Sequence, residues 1–149
     1  MTSVLVVEDD AVLAYALAGN LRDVGFRVVG PAPNLAAANR LLADNKIDVA
    51  CLDVRLGEGE TSVPLAHSLA ALGIPFMFLT AYPVAFLPID MRDRPKLDKP
   101  FEPEVLVGRL AELVEQHKSQ DDPIGLTEKQ LEKLEAACES STVDRKSVV

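Results

Sequence analysis

Val4-Leu5-Val6-Val7-Glu8-Asp9-Asp10 joins an unbroken apolar run to three consecutive carboxylates. The first half has neither alternation nor helical spacing, which suits a strand covered on both faces. The second half cannot continue that strand into a core, because adjacent carboxylates repel and need solvent or a cation. In open parallel sheets, ligands collect at the carboxyl ends of the strands. The stretch therefore predicts the first strand of an α/β sheet, with acidic groups delivered to its edge.

Outward from this stretch the same unit repeats. Leu13, Leu17, Leu21 and Val24 have helical spacing and stop at Gly25. Arg27-Val28-Val29 predicts a short second strand. Asn34 is placed to cap a helix bearing Ala38, Leu41 and Leu42. Val49-Ala50-Cys51-Leu52 predicts a third strand ending at Asp53. Ser62 is placed to cap a helix with Leu65, Leu69 and Leu72 inward and Gly73 at its end. Pro75 to Leu79 predicts a fourth strand ending at Thr80, and Lys96-Leu97 a weak fifth. A last helix opens at Glu102 and carries Leu106, Leu110, Leu113 and Val114. Five βα units imply a mostly parallel sheet with helices on both faces. Pro83, Pro88 and Pro95 interrupt the fourth helix position, so residues 82 to 95 should hold at most a short helix or 3-10 turn.

This organisation divides the chain into a domain over 1–118, a linker over 119–126, and a short C-terminal helix and tail over 127–149. The C-terminal helix has capping-box spacing at Thr127 and Gln130 and an apolar face of Leu131, Leu134 and Cys138. It is expected to dock on the domain or on a second copy, as a homodimer.

The chain has 149 residues with 15 basic and 23 acidic side chains, a net charge of −8. That balance argues against nucleic acid, whose binding runs on clustered Lys and Arg. No apolar run approaches a membrane span. The start has no basic n-region, and Cys51 and Cys138 read as separate thiols, so the expected location is cytoplasmic. His67 reads as a surface residue, as does the acidic pair Glu58 and Glu60.

The polar residues cluster by topology. Glu8, Asp9 and Asp10 follow strand one, Asp53 ends strand three, Thr80 ends strand four, and Lys99 follows strand five. Crowded carboxylates favour a hard divalent cation, and Mg²⁺ suits an oxygen-rich site. Asp53 is then placed to attack phosphorus, with Thr80 and Lys99 available to phosphoryl oxygens. Asp10 is better placed to cap the first helix.

Val-Leu-Val-Val-Glu-Asp-Asp, Leu-Asp-Val at 52 to 54, Leu-Thr-Ala at 79 to 81 and Asp-Lys-Pro-Phe at 98 to 101 together resemble the signature set of bacterial two-component receiver domains, over residues 3 to about 118. The loop after Asp53 and the segment from Gly73 to Thr80 resemble single-domain alphaproteobacterial receivers, although Leu79 and Ala81 depart from that group's Phe-Ala-Thr-Gly motif. The resemblance implies a doubly wound, flavodoxin-like sheet of order 2-1-3-4-5. It implies that Asp53 is the phosphoacceptor, that Glu8 and Asp9 hold the metal with Asp53 and the backbone carbonyl of Arg55, and that Lys99-Pro100 is cis. It also implies a histidine kinase or histidine phosphotransfer protein as donor and a protein target as output.

Two other functions compete. A Mg²⁺-dependent phosphohydrolase would place an acid-base Asp two residues past the nucleophile, where Arg55 stands. A phosphorylation-independent scaffold would not need the full residue set. The chain is therefore expected not to be an enzyme. Receivers also couple through an aromatic three residues before the lysine; here that residue is Lys96. Tyr82, with Thr80 and a loosely ordered segment after it, is the expected substitute switch.

Overall fold

The computed structural model describes residues 1–81 and 83–121. In chain order the elements are β1 (Ser3–Val7), α1 (Ala11–Asp23), β2 (Arg27–Ala32), α2 (Leu35–Asp44), β3 (Val49–Asp53), α3 (Val63–Ala71), β4 (Phe76–Thr80), β5 (Lys96–Asp98) and α4 (Pro103–Asp121). Two 3-10 turns, Val84–Phe86 and Ile89–Met91, replace a helix between β4 and β5, where the prolines forbid one. All five strands pair in parallel in the order β2-β1-β3-β4-β5, as expected.

The continuous apolar runs are explained by two cores. Successive strand residues point to opposite faces. Val4, Val6, Val49, Cys51, Met77 and Leu79 pack with Leu17 and Leu21 of α1 and Leu106 and Leu110 of α4. Leu5, Val7, Ala50, Leu52, Phe76 and Phe78 pack on the other face with Ala38 of α2 and Leu65 and Leu69 of α3. Leu72, expected inward, is exposed at the C-terminal end of its helix, as is Val24 at the end of α1.

β2 runs three residues beyond its expected end, through Gly30 and Pro31. Gly30 has φ +104, and a Cβ there would lie 2.9 Å from the carbonyl oxygen of Val6. Only glycine fits so close a backbone approach. The β1–β2 register shifts at this point, and the ladder resumes where the Glu8 N–H donates to Ala32 O at 3.0 Å. The edge position of β2 tolerates Pro31. This irregularity fixes the backbone of the first acidic residue.

The compact unit spans Met1–Val114, and a second begins at Glu115 within α4. The helix continues through residues 119–121, which were expected to start the linker. The predicted short C-terminal helix and tail over 127–149, with Cys138, lie outside the described residues.

Capping agrees with the sequence at two helices and differs at the third. Asp10 Oδ1 accepts from the N–H groups of Val12 and Leu13, and Asn34 Oδ1 from that of Ala37 at 2.9 Å. Ser62 makes no cap bond, because its ψ of 1° departs from the extended geometry a capping residue needs. The hydroxyl of Thr61 accepts from Val63 N instead, at 3.4 Å. Ser62 Oγ is fully buried with no hydrogen-bond partner among the described residues. Replacing Ser62 by Ala should therefore leave stability unchanged or raise it, whereas Asn34→Ala should cost ~1 kcal/mol in urea unfolding. A loss from Ser62→Ala as large as that from Asn34→Ala would restore Ser62 as the cap.

Candidate functional site

Strand register brings the acidic residues together. Val7 pairs with Leu52, so Glu8 and Asp53 leave the sheet from adjacent strands. Glu8 and Asp53 are buried, at 2% and 8% exposure, while Asp9 stays exposed. Carboxylate oxygens of Glu8, Asp9 and Asp53 lie within 4.8 Å of one another. Lys99, following β5, reaches across: its Nζ is 2.6 Å from Glu8 Oε1 and 3.3 Å from Asp53 Oδ1. The lysine is aimed by its own backbone, whose N–H donates to Thr80 O at 2.8 Å, and its bond to Pro100 is cis as expected. Thr80 is buried at the end of β4, one residue past Leu79, the partner of Asp53.

Glu8, Asp9, Asp53 and Lys99 open into a cavity of about 620 Å³, lined also by Asp10, Arg55, Glu58, Gly59 and Ala81. Arg55 is exposed at the rim and forms a bridge with Thr61. Tyr82, the expected switch, lies outside the described residues. Sequence reasoning missed the loop after Arg55 as a wall of the site. The Gly57-Glu58-Gly59 turn was the available signal, since Glu58 and Gly59 both take positive φ.

The electrostatics follow from burial. Asp53 is pushed up to about 8 by burial, then by its hydrogen bond and repulsion with Glu8, with Lys99 opposing and Asp9 adding. Burial alone would lower Lys99, yet its bond to Glu8 and the charge of Asp53 outweigh this and raise it. Cys51, two residues before Asp53, is raised to about 12 by burial and by Glu8, which makes it an inert core thiol. Three oxygen donors crowded until one resists ionising form a fitting set for a hard cation such as Mg²⁺.

No family model matches the chain. SdrG from Sphingomonas melonis Fr1 is 37% identical over 76% of this chain and 96% of that one, with a TM-score of 0.66. The response-regulator REC domain of PhyR from Erythrobacter litoralis is 25% identical, covering 76% of this chain and 89% of that one, with a TM-score of 0.68. The chain belongs to the response-regulator receiver family. The receiver is also 29% identical over 108 residues to the phyllosphere-induced regulator PhyR of Methylorubrum extorquens AM1. That match takes in 68% of this receiver and spans only 39% of PhyR.

The raised Asp53 fixes a pH dependence. The metal-free folded receiver holds a proton on Asp53 between 3.8, its ordinary value, and about 8, where the unfolded chain does not. Its contribution to stability is therefore lost as pH rises through that window. Thermal unfolding should show this slope without Mg²⁺, and Asp53→Asn should remove it. Apparent Mg²⁺ affinity should rise across the same window, because cation and proton compete for the carboxylates. An identical slope in Asp53→Asn would assign the effect to another group.

Proposed function

We propose that this receiver accepts a phosphoryl group on Asp53 from a histidine kinase or histidine phosphotransfer protein, and signals by protein contact. The observation that carries this reading is the position of Asp53. Its carboxylate is buried within 4.8 Å of Glu8 and Asp9 oxygens and 3.3 Å from the Lys99 ammonium, at the mouth of an open cavity.

Glu8, Asp9 and Asp53 would hold Mg²⁺, with the Arg55 carbonyl added by family resemblance. When bound, the cation neutralises the acidic cluster so that an anionic donor can approach. An Asp53 oxygen forms the new bond to phosphorus, the P–N bond of the donor breaks, and the imidazole leaves with the electron pair. The product is an acyl phosphate. Lys99, kept protonated by Glu8 and Asp53, supplies positive charge to the phosphoryl oxygens. Thr80 stands at the adjoining strand end to offer its hydroxyl. No Asp follows Asp53 by two residues to act as acid-base, so acceptance rather than turnover is favoured. The net charge of −8 supports a protein target over nucleic acid. Among the described residues no helix is long and apolar enough to cross a membrane.

Acetyl phosphate with Mg²⁺ should add one acid-labile phosphoryl group, read by intact mass, and Asp53→Asn should take up none. Labelling that persists in Asp53→Asn would move the acceptor elsewhere. Lys99→Ala should keep the Mg²⁺ site and slow the labelling. A rate equal to the wild type would remove Lys99 from the chemistry.

A further inference from the structure

The chain from Arg55 to Thr61 is a small hairpin that follows the acceptor directly. Arg55 bridges Thr61, the Leu56 N–H donates to Glu60 O at 2.8 Å, and the Glu60 N–H donates to Gly57 O at 3.2 Å. Its tip takes φ +62 at Glu58, a left-handed conformation that a side chain rarely adopts unless the surroundings hold it. One side of the hairpin faces the acidic cluster. Arg55, Leu56, Glu58 and Gly59 line the cavity, and a Cβ on Gly57 would sit 3.8 Å from Asp9 Oδ2.

The other side is tied to a distant element. Glu60 is not a solvated loop residue. Its Oε1 accepts from the N–H of Leu35, the first residue of α2, at 2.8 Å and across 25 positions of sequence. That N–H is one of the unpaired donors at a helix start, and the positive end of the helix favours a carboxylate. Asn34 caps the same helix separately, through Ala37 N, and its cap bond makes no contact with the hairpin.

We propose that Glu60 is a positioning residue for the acceptor site: its bond to the start of α2 holds the 55–61 hairpin against Asp9 and so sets the affinity of the acidic cluster for its cation. The inference rests on the acceptor reading, but its test does not need phosphoryl transfer. Leu56 roots one limb of the hairpin in the core, and the Glu60 bond ties the other limb to α2; losing that bond leaves the Glu58 tip freer to shift away from Asp9. Asn34 supplies the control, because removing it weakens α2 while leaving the anchor in place.

The experiment titrates MgCl₂ into the full chain by calorimetry and follows amide exchange of the metal-free protein. Glu60→Ala should weaken Mg²⁺ binding about tenfold, the usual scale for loss of a group supporting metal ligands, and speed exchange at Leu56 and Glu60. Glu60→Gln keeps an acceptor oxygen and should recover most of the affinity. Asn34→Ala should leave both readouts at the wild-type value. Unchanged Mg²⁺ affinity in Glu60→Ala, or an equal loss in Asn34→Ala, overturns the proposal. A wild-type protein that binds Mg²⁺ yet takes no phosphoryl group overturns the acceptor reading instead, and the Glu60 effect on Mg²⁺ still decides this one.

Discussion

Two carboxylates buried beside one ammonium set the terms for the rest of the molecule. Glu8 and Asp53 are almost entirely removed from water, and Lys99 reaches both. Burying an unpaired carboxylate costs several kcal/mol, and the lysine offsets part of that cost. One positive charge cannot balance Glu8, Asp9 and Asp53 together. The raised Asp53 reflects its burial first and the uncompensated charge of Glu8 and Asp9 after it, and the three carboxylates form a fitting set for a divalent cation. The sheet tolerates this cluster because its apolar strands pack on both faces, and the surplus sits only at their ends.

Topology turns that imbalance into a site. The order β2-β1-β3-β4-β5 makes β1 and β3 neighbours, so the connections from β1 and β3 depart to opposite faces between them. Glu8 and Asp53 emerge in that crevice. Three backbone contacts then fix the rim: Glu8 N to Ala32 O, Val54 N to Leu79 O, and Lys99 N to Thr80 O. The first and last of these bonds are made by Glu8 and Lys99 themselves and the second by the residue after Asp53, so strand pairing sets where these three side chains leave the sheet.

What was legible in the sequence was what strand ends dictate. Glu8, Asp53 and Thr80 could be placed because each directly follows or ends an apolar run, and Lys99 because the Asp-Lys-Pro-Phe stretch at 98 to 101 marks the end of the weak fifth strand. The continuation of β2 was not legible, since Gly30-Pro31 reads as a stop and only the bulge opposite Val6 accommodates it. Ser62 had the right residue type for a cap, but its backbone turns the hydroxyl inward and Thr61 serves instead. Glu60 could not have been found, because no local pattern marks a carboxylate whose partner lies 25 residues away. Leu72 kept the helical period yet faces outward, because the helix ends before its position can pack.

The segment between β4 and β5 shows how composition replaces a missing helix. Prolines remove the backbone donors, and the expectation was loose order. Basic side chains supply the bonds instead. Arg92 donates to the carbonyls of Leu87 and Ala85, and Lys96 donates to those of Arg92 and Arg94. Arg94 lies 5.0 Å from the centre of the Phe76 ring, and Asp90 meets His67 of α3 at 2.8 Å. Lys96 occupies the place where the family resemblance leads one to expect a rotating aromatic, and here it is committed to holding carbonyls. A ring in that place can turn inward to fill apolar space, but an ammonium bonded to two carbonyl oxygens would have to be desolvated first. The side chain at position 96 is thus committed to loop carbonyls, and the contacts that tie the end of β5 to the acidic cluster are those of Lys99, whose Nζ lies 3.3 Å from Asp53 Oδ1 and whose N–H donates to Thr80 O.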